Sequence, residues 1–190
     1  MAHRDREVEI KLAVESAVSA RRLLRGAGFR VSRRRVFEAN TVFDTEALAL
    51  RSANCLLRVR EAGGTVTVTY KGPVEPGRHK GREELETGIA SARSFAAILS
   101  HLGFRRVFRY EKYRAEYRQP GVCGVATVDE TPIGVYMELE GSPRWIDRTA
   151  RKLGFPVDRY ITASYAALYL KRCREQGVEP SNMVFASLRF

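Results

Sequence analysis

Charged and apolar residues alternate strictly along Glu7-Val8-Glu9-Ile10-Lys11-Leu12. Successive side chains of a β-strand point to opposite faces, so Glu7, Glu9 and Lys11 share one face and Val8, Ile10 and Leu12 the other. The pattern recurs. Arg58 and Arg60 oppose Leu57 and Val59, and Thr65, Thr67, Thr69 and Lys71 oppose Val66, Val68 and Tyr70. Arg82, Glu84 and Glu86 share a face. Lys112, Arg114 and Glu116 oppose Tyr113, Ala115 and Tyr117, and Glu138 and Glu140 oppose Met137 and Leu139. These runs predict strands over 7–12, 29–44, 55–61, 65–71, 82–87, 107–118, 122–130 and 134–140. Gly63-Gly64 predicts a hairpin and Thr131-Pro132 a turn.

Other stretches carry helical spacing. Residues 15–25 place Val18, Leu23 and Leu24 roughly on one side and end at Gly26 and Gly28. Residues 91–102 place Phe95, Ile98, Leu99 and Leu102 together, with Ser91 or Ser94 as the cap. Helices are also expected over 145–153 and 163–174, a short helix or loop over 45–54, and a loop holding Arg78, His79 and Lys80. The chain reads as a domain over 1–174 and a tail over 175–190 bearing Met183, Val184, Phe185 and Phe190, expected to dock on the exterior or on a partner subunit.

Apolar-periodic helices need a surface to cover, and the strands offer one apolar face. The economical arrangement is an α+β fold with an antiparallel sheet packed on helices. The charged face then either meets water on an open sheet or closes on itself as a barrel lumen. In a closed lumen the carboxylates repel unless a cation lies between them, and the lysines and arginines repel unless an anion does. Two carboxylates about 7 Å apart along a strand suit a hard divalent cation. The two needs together describe a metal–polyphosphate complex.

Composition narrows the partners. The 190 residues carry a formal charge of +11, which points to polyanions without choosing among them. No apolar run approaches a membrane span. Cys55, Cys123 and Cys173 show neither disulfide nor zinc spacing, so a reducing cytoplasm is expected. His3, His79 and His101 are scattered, which argues against a histidine metal site. A nucleic-acid-binding sheet is disfavoured, since glutamates line the charged face while Tyr70, Tyr113 and Tyr117 fall on the apolar one.

With the motifs taken in order, the chain resembles the CYTH superfamily, the triphosphate tunnel metalloenzymes. The resemblance rests on Glu7-x-Glu9-x-Lys11, Leu57-Arg58-Val59-Arg60-Glu61, Tyr70-Lys71-Gly72-Pro73, Arg82-Glu83-Glu84-Leu85-Glu86, Glu111-Lys112-Tyr113-Arg114, Val128-Asp129, Glu138-Leu139-Glu140-Gly141 and Ser164-Tyr165. The set is most similar to the CyaB-type, class IV adenylate cyclase branch. The resemblance implies a closed eight-stranded antiparallel tunnel with a charged lumen and external helices. It implies Mg²⁺ or Mn²⁺ on Glu7, Glu9, Glu138 and Glu140, with Asp129, Glu84 and Glu86 second in rank. It implies triphosphate on Lys11, Arg58, Arg60, Lys71, Lys112 and Arg114, joined by Lys80 and Arg82 if these face inward. Glu7, Glu9, Lys11, Lys112 and Arg114 would carry catalysis. The expected reaction is conversion of ATP to cyclic AMP and pyrophosphate; the alternatives are hydrolysis of an inorganic or thiamine-type triphosphate, or a non-catalytic polyphosphate- or RNA-binding module. The family is often dimeric. No nucleophile motif, histidine base or phosphate-binding Gly-rich loop is present, so catalysis would rest on metal activation and electrostatic stabilisation.

Overall fold

The computed structural model describes residues 5–75 and 77–185; His3 and Phe190 lie outside the described residues. Eight antiparallel strands close into a barrel: β1 (Asp5–Val14), β2 (Arg30–Thr45), β3 (Leu56–Ala62), β4 (Thr65–Lys71), β5 (Lys80–Ile89), β6 (Phe104–Arg118), β7 (Val125–Thr131) and β8 (Gly134–Glu140). Their order around the barrel is β1-β5-β4-β3-β2-β6-β7-β8, and β8 returns to pair with β1. The alternating strands therefore turn their charged sides into one lumen and their apolar sides outward. The open-sheet alternative is excluded.

The outward face is covered in two patches. Helices α1 (Ala17–Gly26) and α4 (Pro143–Lys152) lie over β1, β7 and β8 and bury Leu24 and Ile146 against Ile10, Leu12, Met137 and Leu139. Helix α3 (Ala92–His101) sets Leu99 against Phe43 and Val59. Each helix begins at a serine whose hydroxyl accepts an amide hydrogen of the first turn: Ser16 from Ser19, Ser91 from Ser94, and Ser142 from Trp145. Ser142 and Pro143 start α4 two residues before the periodicity indicates, because proline at the first helical position forfeits no hydrogen bond. The one-turn helix α2 (Ala49–Ser52) is held from outside by Asp44, whose carboxylate accepts from the amides of Thr45, Leu50 and Arg51.

Glycine decides two boundaries. The β3–β4 hairpin turns on Gly63 and Gly64, at φ +56° and +79°, the left-handed pair that a two-residue turn requires. Strand β7 begins at Val125 rather than at Val122. Gly124, at φ +155°, passes directly under the Trp145 indole, where a Cβ would overlap the ring.

The final helix, α5 (Tyr165–Gln176), is capped by Ser164 and ends at Gly177. It buries Tyr165, Tyr169 and Cys173 with Tyr110 and Ile133. The tail docks here. Met183 is fully buried and pairs with β6, its amide donating to the Arg109 carbonyl and its carbonyl accepting from the Glu111 amide. The register of β7 on β6 runs from Tyr113 to Tyr117, so Met183 takes a stretch of β6 edge that β7 does not reach. Phe185 adds an aromatic contact with Tyr113 at 5.4 Å.

Candidate functional site

The lumen encloses a cavity of about 980 Å³. It collects the candidate residues from strands far apart in sequence. Glu7, Glu9 and Lys11 come from β1, Arg58 and Arg60 from β3, Lys71 from β4, Glu84 and Glu86 from β5, Lys112 and Arg114 from β6, and Glu138 and Glu140 from β8, and all line it. Lys80 and Arg82 line it too, each less than a tenth exposed. Lys80 opens β5 rather than lying in a loop, since its backbone pairs with Glu9.

Strand register sets which charges meet. Glu7 lies opposite Arg82, and Glu9 opposite Lys80. Lys71 faces Glu84, Lys112 faces Glu38, Arg114 faces Asp129, and Lys11 faces Glu138. Side chains of directly opposed residues are near neighbours on one face, so these registers place opposite charges together. One register does the reverse: Glu9 lies opposite Glu140.

Two networks result. In the first, Asp129 is fully buried and accepts from Lys112 Nζ at 2.8 Å, from Arg114 Nε and Nη2 at 2.7 and 2.5 Å, and from the Tyr165 hydroxyl at 2.8 Å. Arg114 also donates to Glu138. Burial alone would raise the Asp129 carboxyl, but Arg114 and Lys112 overcome it and bring it down to about 2. Burial, with Asp129 and Glu138, holds the Tyr165 phenol well above its ordinary value, so it remains a donor. Lys11 and Lys112 both sit over the Tyr165 ring, 5.3 and 5.2 Å from its centroid. Tyr165 thus orients the network from the end of the tunnel, while Ser164 caps its helix.

In the second network, Lys80 and Lys11 converge on one oxygen of Glu9, at 2.6 and 3.0 Å, and Lys71 reaches Glu7 at 2.6 Å and Glu84 at 2.9 Å. Lys11 also reaches Glu138 at 3.3 Å, linking the two networks. Burial opposes the Glu9 charge, yet Lys11 and Lys80 hold its carboxyl well below the usual range. Glu7 is raised, by burial and by Glu9. Glu140 is pushed up to about 7, by burial and by the charges of Glu7 and Glu9. Its side chain reaches open solvent at the mouth, which moderates the shift without reversing it. No hydrogen bond or ion pair engages the Glu140 side chain among the described residues.

Glu38 and Asn40 of β2 join the lumen without having been singled out by the alternation of charge. Both are fully buried. Glu38 lies 3.7 Å from Lys112 and 3.8 Å from Arg60, without a closer hydrogen bond to either oxygen. Burial raises its carboxyl, but Lys112, Arg114 and Arg60 bring it down to about 2. Arg58 is fixed by Tyr110 and Thr69, at 3.2 and 3.0 Å. Lys11, Lys71, Lys80, Lys112 and Arg114 are thus braced by carboxylates, and Arg58 by hydroxyls.

The donor chemistry suits a hard divalent cation at the Glu7, Glu9 and Glu140 end, where crowded carboxylates have two raised members. Among the described residues no three acidic or histidine side chains already stand at metal-ligand spacing. Glu7 and Glu9 are turned to lysines, and Glu138 is turned to Arg114 and Lys11. No helix among the described residues is long and apolar enough to cross a membrane.

Comparison with known proteins places this tunnel. The CYTH domain model matches residues 5–165. A Methanocaldococcus jannaschii protein, provisionally named an adenylate cyclase, is 31% identical over 137 residues, covering 72% of this chain and 77% of the relative. A Pyrococcus horikoshii structure superposes with a TM-score of 0.73 at 24% identity, covering 87% of this chain and 99% of the other. A Hippeastrum protein, provisionally named an adenylyl cyclase and described as having a dominant triphosphatase activity, superposes with a TM-score of 0.64 at 20% identity, covering 92% and 97%. From the motif order, the closed tunnel and these matches, the chain belongs to the CYTH domain family.

Proposed function

We propose that the chain is a divalent-metal-dependent enzyme that binds a triphosphate in the tunnel and converts ATP to cyclic AMP and pyrophosphate. The observation that carries this reading is the convergence in one enclosed lumen of Lys11, Arg58, Arg60, Lys71, Lys112 and Arg114, facing the crowded Glu7, Glu9 and Glu140. A pure polyanion binder gains nothing from the second group. The arginine forks suit pairs of phosphate oxygens, and the lysines serve as movable point charges. Asp129 and Glu38 keep Lys112, Arg114 and Arg60 in place, so little ordering remains for the substrate to impose.

Glu7, Glu9 and Glu140, with Glu138, would hold Mg²⁺ or Mn²⁺. A bound ion would stabilise charge at the reacting phosphate and lower the pKa of the attacking hydroxyl. Lys112 and Arg114 would stabilise the departing pyrophosphate. The choice of cyclisation follows the name of the 31% identical relative.

A second reading is hydrolysis of the triphosphate, favoured by the activity described for the Hippeastrum relative. The same basic residues serve both courses, because both require a neutralised triphosphate. They differ in which phosphorus meets the nucleophile. The test incubates the protein with ATP, and separately with tripolyphosphate, under Mg²⁺ and then Mn²⁺, and resolves products by phosphorus NMR. Cyclic AMP with pyrophosphate, abolished by EDTA, is expected. Orthophosphate without cyclic nucleotide assigns the hydrolase, and metal-independent retention without turnover assigns a binding module.

A further inference from the structure

Outside the tunnel, behind the strands that supply Lys11 and Lys80, one carboxylate gathers three donors. Asp147 of α4 accepts at Oδ1 from the Tyr160 hydroxyl at 3.2 Å and contacts His79 Nε2 at 2.7 Å; its Oδ2 accepts from Arg78 Nη2 at 2.6 Å. The His79 side chain is 10% exposed and Asp147 23%, while Arg78 closes the cluster from the solvent side at 56%. The His79 ring also packs against Tyr160, with centroids 6.0 Å apart. The opposite face of α4 is the buried one, with Trp145, Ile146 and Ala150 in the core, so Asp147 projects from a fixed helix.

Two of the three partners of Asp147 lead to lumen lysines, one along the chain and one through a β-bridge. His79, in a bend, directly precedes Lys80, the first residue of β5, so anchoring His79 fixes where the chain enters the strand that carries Lys80. Tyr160 directly precedes Ile161, whose amide donates to the Lys11 carbonyl at 2.9 Å and whose carbonyl accepts from the Lys11 amide at 2.8 Å. The two lysines so reached are those that converge on Glu9 Oε1.

We infer that Asp147 is a positioning residue which, through His79 and Tyr160, sets Lys80 and Lys11 in register around Glu9 and so tunes triphosphate binding. The inference rests on the proposed triphosphate reading. It assigns Asp147 no contact with substrate.

The test measures tripolyphosphate binding by calorimetry, and ATP kinetics, for wild type, Asp147→Ala, His79→Ala, His79→Gln, Lys80→Ala and the Asp147→Ala/Lys80→Ala pair. Asp147→Ala should weaken tripolyphosphate binding and raise KM about fivefold with kcat nearly unchanged, the size of coupling usual for residues in one network. His79→Ala should do the same. His79→Gln, which keeps a donor at a similar reach, should recover most of the loss. In the Lys80→Ala background the Asp147→Ala effect should shrink. An Asp147→Ala effect of undiminished size in that background, or a lowered Tm with unaltered binding, overturns the inference. If Asp147→Ala does not fold, the two His79 variants decide on the same criteria. Wild-type protein that retains no tripolyphosphate overturns the triphosphate reading, and this inference with it.

Discussion

Two seams of the barrel put opposed charges to different use. Where β6 meets β7, Arg114 lies opposite Asp129, and the pair is buried, in contact and joined by Lys112 and Tyr165. Where β8 meets β1, Glu9 lies opposite Glu140, and no ion pair relieves Glu140 among the described residues. The Asp129 carboxyl is brought down to about 2, while Glu140 is pushed up to about 7. The same kind of residue on the same kind of strand thus ends at opposite extremes. Burial raises both carboxyls; Arg114 and Lys112 overcome it at Asp129, while the charges of Glu7 and Glu9 add to it at Glu140. The first seam is electrostatically complete as it stands. The second leaves Glu140 without an ion pair among the described residues, and that asymmetry gives the tunnel a direction.

The largest effect should come from breaking the complete seam. Arg114→Ala removes the partner shared by Asp129 and Glu138 and leaves both carboxylates buried with too few donors. Removing one member of a buried ion pair costs about 3–5 kcal/mol, so a fall of that size in urea-unfolding free energy is expected. Because Arg114 is also a proposed phosphate ligand, triphosphate binding should be lost as well. A variant with wild-type stability would mean that the seam is not the buried network described.

Much of this contrast is legible in the order of residues alone, and the part that is not has a definite physical origin. A tunnel with a charged inside and an apolar outside imposes period-two alternation, so Glu7, Glu9, Lys11, Arg58, Arg60, Lys112 and Arg114 declare their shared side. Closure does not declare itself: the pairing of Glu9 with Glu140 joins strands 131 residues apart along the chain, and no local pattern reports it. The family resemblance supplies it instead. Glu38 and Asn40 escape the alternation argument because register shifts in β2 between Val31 and Arg33, and between Arg33 and Val36, interrupt the pattern just upstream of them. Lys80 reads as a loop residue because the stretch before it contains Gly and Pro. Asp147 gives no signal at all, since a lone acid on the polar face of a helix looks like any solvated residue.

Glu38 tests whether the well-paired region extends beyond Asp129. It is fully buried, and its carboxyl stands at about 2 against an ordinary 4.5. A depressed carboxylate contributes stability that is present above its unfolded pKa and is lost as pH falls through the folded one. Glu38→Gln should therefore cost about 2–3 kcal/mol near neutrality, and less as the pH is lowered toward about 2. Urea unfolding at neutral and at acid pH reads the difference. A cost that does not diminish in acid would assign Glu38 a packing role and confine the well-paired region to Asp129.

The smallest effect, opposite in sign, belongs to the crowded seam. With EDTA present to keep the protein metal-free, the raised Glu140 carboxyl favours the folded state below its unfolded value of 4.5, and that advantage is lost as pH rises through about 7. Glu140→Gln carries no such penalty, because a neutral amide opposite Glu9 is not repelled. Its stability should match that of wild type in mild acid and equal or slightly exceed it at alkaline pH. Solvent at the mouth limits the gain to about 1 kcal/mol or less. Adding Mg²⁺ or Mn²⁺ should then reverse the order: wild type gains stability in proportion to how tightly the folded state binds the ion, and the variant gains less. Thermal melts in EDTA and in excess metal, at mildly acid and alkaline pH, follow all of these changes. Equal metal-induced shifts in the two proteins would remove Glu140 from the cation site and leave the like-charged register of β1 and β8 without the role assigned to it.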